Sequence, residues 1–254
     1  MQQQMRVVWP PFTLGVKILL GVFGAIFVLT LFKHSLGFEK FIGRTFYLSV
    51  EGMFDRLYLW QPLTHQFFHD DFFHFLFNGI VLWSFGGEVE KRWNTKSFLG
   101  FVLACGVGGA VFVVVWQLIF PGQVGASGWS AVETLGASGG IMGVVTAYCI
   151  YNWNRRLRMM FIPFQIPAKY LLLVFIGLDV LFVLMGSNIS MAGHLGGMAM
   201  GALLVTGWYK PGRILQEFRF WKARRRLKLL KGGHPLDRSP DVKNGRNGDS
   251  RYLH

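Results

Sequence analysis

The chain has 254 residues, 52% of them hydrophobic and only 15% charged, with a mean hydropathy of +0.37; it is too apolar for an ordinary soluble domain and reads as one polytopic membrane domain. The formal net charge is +13, but the basic residues fall between apolar runs and in the C-terminal tail without a stacking motif beside them, which argues against nucleic acid as a partner. Cys105 and Cys149 both lie inside apolar runs, so they read as packing residues and not as a structural disulfide.

Residues 1–13 form a short N-terminal segment. The apolar stretch 14–32 lacks a small-x-small cleavage site and is followed by five more stretches, so it reads as an anchor and not as a signal peptide. Residues 34–70 are rich in Phe, Tyr, Leu and Trp yet broken by Gly and Pro, which predicts a first loop lying along the outer membrane interface. Apolar stretches at 71–87, 98–120, 137–152, 168–186 and 192–209 complete six predicted spans. The tail, 210–254, opens as a basic amphipathic stretch through Arg219, Trp221, Arg224, Arg225 and Arg226, suited to an anionic inner leaflet, and ends in a composition that predicts disorder. The expected fold is therefore an all-α membrane protein: a six-helix domain over 14–209 with a membrane-associated first outer loop and a basic cytoplasmic tail.

Orientation follows from the positive charges, because cytoplasmic loops retain Lys and Arg. Lys91, Arg92 and Lys96 follow the second stretch, Arg155, Arg156 and Arg158 follow the fourth, and the tail carries a dense basic run. Residues 121–135 contain no Lys or Arg, nor do residues 187–190. Both termini are then expected in the cytoplasm, as in a multi-pass protein of a cell inner or plasma membrane. The second, fourth and sixth spans all run inward, and each begins with a polar set: His74 and Asn78, then Ser138, then His194. Topology alone thus predicts that these four residues share the outer end of the bundle.

The predicted chemistry is nucleophilic acyl transfer, with Ser138 as nucleophile and His194 as base. The fourth stretch rises about 22 Å as a helix against a hydrocarbon core of about 30 Å. Ser138 is accordingly expected several ångströms below the outer interface, in a wet cavity. Gly139 and Gly143 on one helix and Gly193, Gly197 and Gly201 on the other are four apart, ridges that let two helices meet closely. Acidic residues are absent near His194 in sequence, and Asp179 falls mid-way along the fifth stretch, so a Ser-His dyad is expected instead of a triad. His74 and Asn78, four apart on one helical face, are expected either to help the Ser138 backbone N–H stabilise an oxyanion or to act as hydrogen-bond glue between helices.

Gly-x-Ser-Gly alone is a weak signal, and it occurs twice. Ser127, in Gly125-Ala126-Ser127-Gly128, is followed by Trp129, Ser130, Glu133 and Thr134, whereas Ser138, in Gly136-Ala137-Ser138-Gly139, launches an apolar helix at once. His65, His69 and His74 invite a metal reading, but no His-Glu-x-x-His or oriented third ligand accompanies them. The expected role of His65 and His69 is to hydrogen-bond the first loop onto the core, with no metal.

Taken together, His65-x3-His69-x4-His74-x3-Asn78, the Gly-Gly-Glu-Val-Glu run ending at Glu90, Gly136-Ala-Ser138-Gly139, and Gly193-His194-x-Gly196-Gly197-x3-Gly201 resemble the rhomboid intramembrane proteases over nearly the whole chain. The resemblance implies a six-helix core, a dyad of Ser138 and His194, oxyanion help from His74 and Asn78, and cleavage of other membrane proteins in or near their transmembrane segments. It further implies small residues at the cut, helix-weakening residues beyond it, and no cofactor. Three departures stand out: Trp60-Gln61 where Trp-Arg is frequent, Met142 where an aromatic often follows the serine, and Gly193 where Ala is common. The competing expectations are a rhomboid-like protein that binds or chaperones membrane helices without cutting them, which the presence of both Ser138 and His194 disfavours, and a channel or transporter, for which no matched broken-helix repeat is present.

Overall fold

The computed structural model describes residues 9–33, 35–120, 133–158, 165–184 and 191–208. All but Trp208 belong to one unit spanning Met1–Gly207. The predicted tail, the rival Ser127 and the link 187–190 lie outside the described residues.

Helices occupy all six apolar stretches: α1 (Leu14–Leu31), α5 (Phe72–Glu90), α6 (Thr95–Ile119), α7 (Ser138–Tyr151), α8 (Leu171–Leu184) and α9 (Met191–Thr206). Three shorter helices, α2 (Glu39–Phe46), α3 (Val50–Phe54) and α4 (Gln61–Thr64), fold the first loop. Local chemistry sets several starts. Asp71 accepts from the His74 N–H at 2.9 Å, Asn94 from Ser97 at 2.8 Å and Ser49 from Gly52 at 3.0 Å, so each side chain satisfies an N–H that its helix leaves open. By length and composition α1 and α6 can each cross a membrane, while α7 and α9 are shorter apolar helices.

The heart of the bundle is α6, α7 and α9 packed on one another, with α5 against α7, α1 against α5, and α8 lightly against α7 and α9. Every residue of α7 from Gly140 to Cys149 is buried. A helix apolar on all sides belongs in such an interior. The helices around it, and the far face of α6, instead expose apolar side chains: Ile18, Val28 and Leu29 on α1, Val111, Val115 and Ile119 on α6, Leu173 and Leu181 on α8. So many exposed large apolar side chains suit hydrocarbon, not water.

Three details depart from the sequence expectation. The segment after α7 is not simply a loop: β1 (Arg156–Arg158) pairs antiparallel with β2 (Gln165–Pro167), Leu157 opposite Ile166. Residues 168–170 form a 3-10 turn, so α8 begins only at Leu171. Gln61, which replaces the expected loop-stabilising charge, is fully buried; its Nε2 donates to the Arg44 carbonyl at 2.9 Å and its Oε1 accepts from the Ser49 N–H at 3.2 Å. A neutral amide thus ties α2, α3 and α4 together without burying a charge.

Candidate active site

Two sets of contacts bring the relevant helix ends together. At one end, Arg155 after α7 meets Glu88 of α5 at 2.9 Å, the Arg92 guanidinium lies 5.0 Å from the Tyr151 ring, and Trp93 Nε1 donates to Tyr151 Oη at 3.2 Å. The C-terminal ends of α5 and α7 are therefore neighbours, and so their starts lie at the opposite end. Along α7 and α9 the glycines advance together. A Cβ added to Gly197 would overlap the Gly139 carbonyl oxygen, and one on Gly201 would stand 2.8 Å from Gly143 Cα. The two helices run parallel in close contact, so Ser138, first in α7, and His194, fourth in α9, enter the same end of the bundle.

A third glycine surface, on α6, has no regular spacing in the sequence. Gly109 of α6 faces the Gly193 carbonyl oxygen, which would lie 2.7 Å from an added Cβ, and Gly196 packs on Gly109 in return. The site is thus backed by three helices instead of two.

The strip that delivers Ser138 is fixed from the first loop. Leu48 and Thr134 exchange backbone hydrogen bonds of 2.9 and 2.8 Å, and the Gly136 N–H donates to the His65 carbonyl at 3.0 Å. Gly136 has φ +122, and an added Cβ would stand 2.7 Å from His74 Nε2 and 3.9 Å from Ser138 Oγ. Glycine is needed there for both conformation and space. The same geometry brings His74 alongside Ser138.

Asn78 lies one turn beyond His74 on α5, is buried, and its Nδ2 has no hydrogen-bond partner among the described residues. A buried amide donor without a partner is costly unless something else accepts from it. His65 Nδ1 lies 3.0 Å from the Gln61 carbonyl, so it donates there, and burial pushes its pKa down to about 4. His69 does not make the hydrogen bond expected of it: neither ring nitrogen has a partner among the described residues, and the ring packs against Phe23, His74 and Phe75 at centroid distances of 5.4, 5.2 and 5.7 Å. Desolvation lowers its pKa to about 3, with His74 adding to the effect. Both imidazoles are neutral at physiological pH.

No hydrogen bond links Ser138 and His194 among the described residues; the ring makes a different contact. His194 Nδ1 lies 2.9 Å from both carboxylate oxygens of Asp179 on α8. A dyad is the sequence expectation because no acid is near His194 in the chain and Asp179 falls mid-way along the fifth stretch; the packing nevertheless places that carboxylate against the ring. One signal was available. An ionisable residue in the middle of an apolar span is functional by default.

Residues 56–211 match the rhomboid domain family. The rhomboid protease GlpG of Yersinia pestis (strain Pestoides F) is 28% identical over 207 residues, covering 80% of this chain and 64% of that protein. The GlpG of Yersinia pseudotuberculosis serotype O:3 (strain YPIII) matches to the same extent, and the mitochondrial RHOMBOID-like protein 12 of Arabidopsis thaliana is 31% identical over 173 residues, 65% of this chain and 51% of its own. The chain thus spans a little under two thirds of the length of the GlpG relatives. With the family domain matched over more than half its length, this helical chain belongs to the rhomboid family.

Proposed function

We propose that the protein is an intramembrane serine endopeptidase that cleaves transmembrane substrates through an acyl-enzyme, with Ser138 as nucleophile and His194 as base. The observation that carries this reading is the convergence of Ser138, His194, His74 and Asn78 at the starts of α7, α9 and α5, with the glycines of α7 and α9 bringing those two backbones into contact and Gly136 lying between His74 and Ser138. The kinship with proteins named rhomboid proteases supports it. His194 takes the Ser138 hydroxyl proton as the oxygen attacks the scissile carbonyl; the C–N bond breaks, the proton passes to the leaving amine, and water hydrolyses the ester. Asn78 Nδ2, which has no partner among the described residues, His74 and the Ser138 backbone N–H are the donors for the oxyanion.

In this reading α1, α5, α6, α7, α8 and α9 span the bilayer, both termini are cytoplasmic, and the site faces outward. Lys91, Arg92 and Arg155 gather at the inner end, and the basic tail lies on an anionic inner leaflet. The helix α7 rises about 21 Å, short of the roughly 30 Å hydrocarbon core, which sinks Ser138 below the outer surface. The test is incubation of the purified protein with a model transmembrane substrate beside Ser138→Ala and His194→Ala. We expect cleavage by the parent chain and loss by at least about 10³-fold in either variant. Cleavage surviving Ser138→Ala but lost in Ser127→Ala means the other motif is the nucleophile; substrate binding without any cleavage means a non-proteolytic helix-binding protein.

A further inference from the structure

We infer that Asp179 is a positioning residue for His194, so that the site works as a relay of three side chains and not two. The inference rests on the protease reading. His194 Nδ1 is 2.9 Å from Oδ1 and Oδ2 of Asp179, with side-chain exposures of 12% and 8%. A carboxylate only accepts hydrogen bonds, so Nδ1 carries the proton and Nε2 keeps the lone pair that a general base requires. Among the described residues His194 is the carboxylate's only hydrogen-bond partner.

The placement has a physical logic. Asp179 lies five residues, about 8 Å, before the end of α8, and His194 three residues, about 5 Å, into α9, and their contact puts the two side chains at one level. An anion that far inside an apolar helix persists where something compensates it. During attack, the proton leaves Ser138 Oγ for His194 Nε2, and the imidazolium donates its Nδ1–H to Asp179, which remains ionised. The Nε2 proton then goes to the leaving amine. Asp179 gains and loses no proton; it selects the tautomer beforehand and holds the positive charge while it exists. With the residue only 6% exposed, substrate has little of it to touch.

The discriminating variant is Asp179→Asn, in which an amide of the same shape can still bond to Nδ1 but can do so as a donor, favouring the tautomer that lacks a basic Nε2. The full chain in lipid vesicles is assayed with a model transmembrane substrate and a fluorophosphonate probe, beside Asp179→Glu and a Ser138→Ala blank, with thermal unfolding followed for each. We expect Asp179→Asn to lower kcat and the probe-labelling rate by about 100-fold or more, with KM within about twofold and an unfolding temperature near the parent's. Asp179→Glu, which keeps the charge, is expected to recover at least about tenfold of that loss. A kcat within about twofold of the parent in Asp179→Asn, a loss confined to KM, or equal losses in the asparagine and glutamate variants overturns the assignment and leaves Asp179 as a structural tie between α8 and α9. If Asp179→Asn does not fold, Asp179→Ala takes its place: a labelling rate lowered by about tenfold or more with KM unchanged supports the role, and labelling closer to the parent's overturns it. A parent chain that neither labels nor cleaves overturns the protease reading itself, and the relay with it.

Discussion

At the scale of single residues, the site depends on groups whose roles are decided by what surrounds them. Gly136 is the clearest case. Its φ of +122 disfavours any L side chain, and the space a Cβ needs is filled by His74 Nε2 at 2.7 Å. Gly136→Ala therefore has to displace either His74 or the turn that delivers Ser138, and a displacement of about 1 Å in a catalytic array costs about 10²-fold in rate. We expect kcat/KM for a model transmembrane substrate to fall by that order while the helical content by circular dichroism is retained. The motif around Ser138 was legible in the sequence, but the reason for its first glycine was not. It arises from a neighbour sixty-two positions away in the chain, His74.

At the scale of elements, the packing of α7 on α9 is what brings two separate helix starts to one place. The glycines of each helix stand against the backbone of the other, so a methyl group at Gly197 collides with the Gly139 carbonyl and cannot be relieved by rotating a flexible side chain. Gly197→Ala is expected to destabilise the protein by about 1–3 kcal/mol and to lower the unfolding temperature in detergent. Gly177→Ala on α8, where an added Cβ meets nothing within 4 Å, is expected to leave it unchanged. The four-residue spacing on α7 and α9 announced this contact in the sequence. The matching surface on α6, through Gly109 against Gly193, was not announced, because Gly106, Gly108 and Gly109 do not form one regular ridge.

At the scale of the whole molecule, the first loop is part of the folded structure and not an appendage. Gln61 binds its helices to one another, the Leu48 and Thr134 pair joins it to the strip before α7, and His65 holds Gly136. Glu90 closes the opposite end, accepting from the Gly15 N–H at 2.8 Å, the Val16 N–H at 3.2 Å and Thr95 Oγ1 at 2.7 Å, and also from Thr13. Stability should therefore register the protonation of the loop's buried histidines, His65 and His69. Burial lowers His65 from 6.5 to about 4, so the unfolded chain takes up a proton near pH 6.5 that the folded chain refuses until about pH 4. Its contribution is complete above pH 6.5 and disappears as the pH falls toward 4, up to about 3 kcal/mol for one such group. We expect the unfolding temperature to drop through this window, and His65→Asn to make the fall shallower while the share of His69 remains; an unchanged slope in the variant would assign the acid sensitivity elsewhere.

Sequence alone located the six apolar stretches that the structure forms as helices, and the starts of three of them that carry Ser138, His194, His74 and Asn78, because hydropathy and glycine spacing are local properties of the chain. It also assigned hydrogen bonds to His65 and His69 alike, and only His65 makes one among the described residues. Tertiary structure decided the remainder. Whether Gln61 could replace a charge, why Gly136 must be glycine, and which acid stands beside His194 each depend on atoms brought together by helix packing or chain reversal. Such distances carry no periodicity in the sequence, since they are set by how whole helices pack.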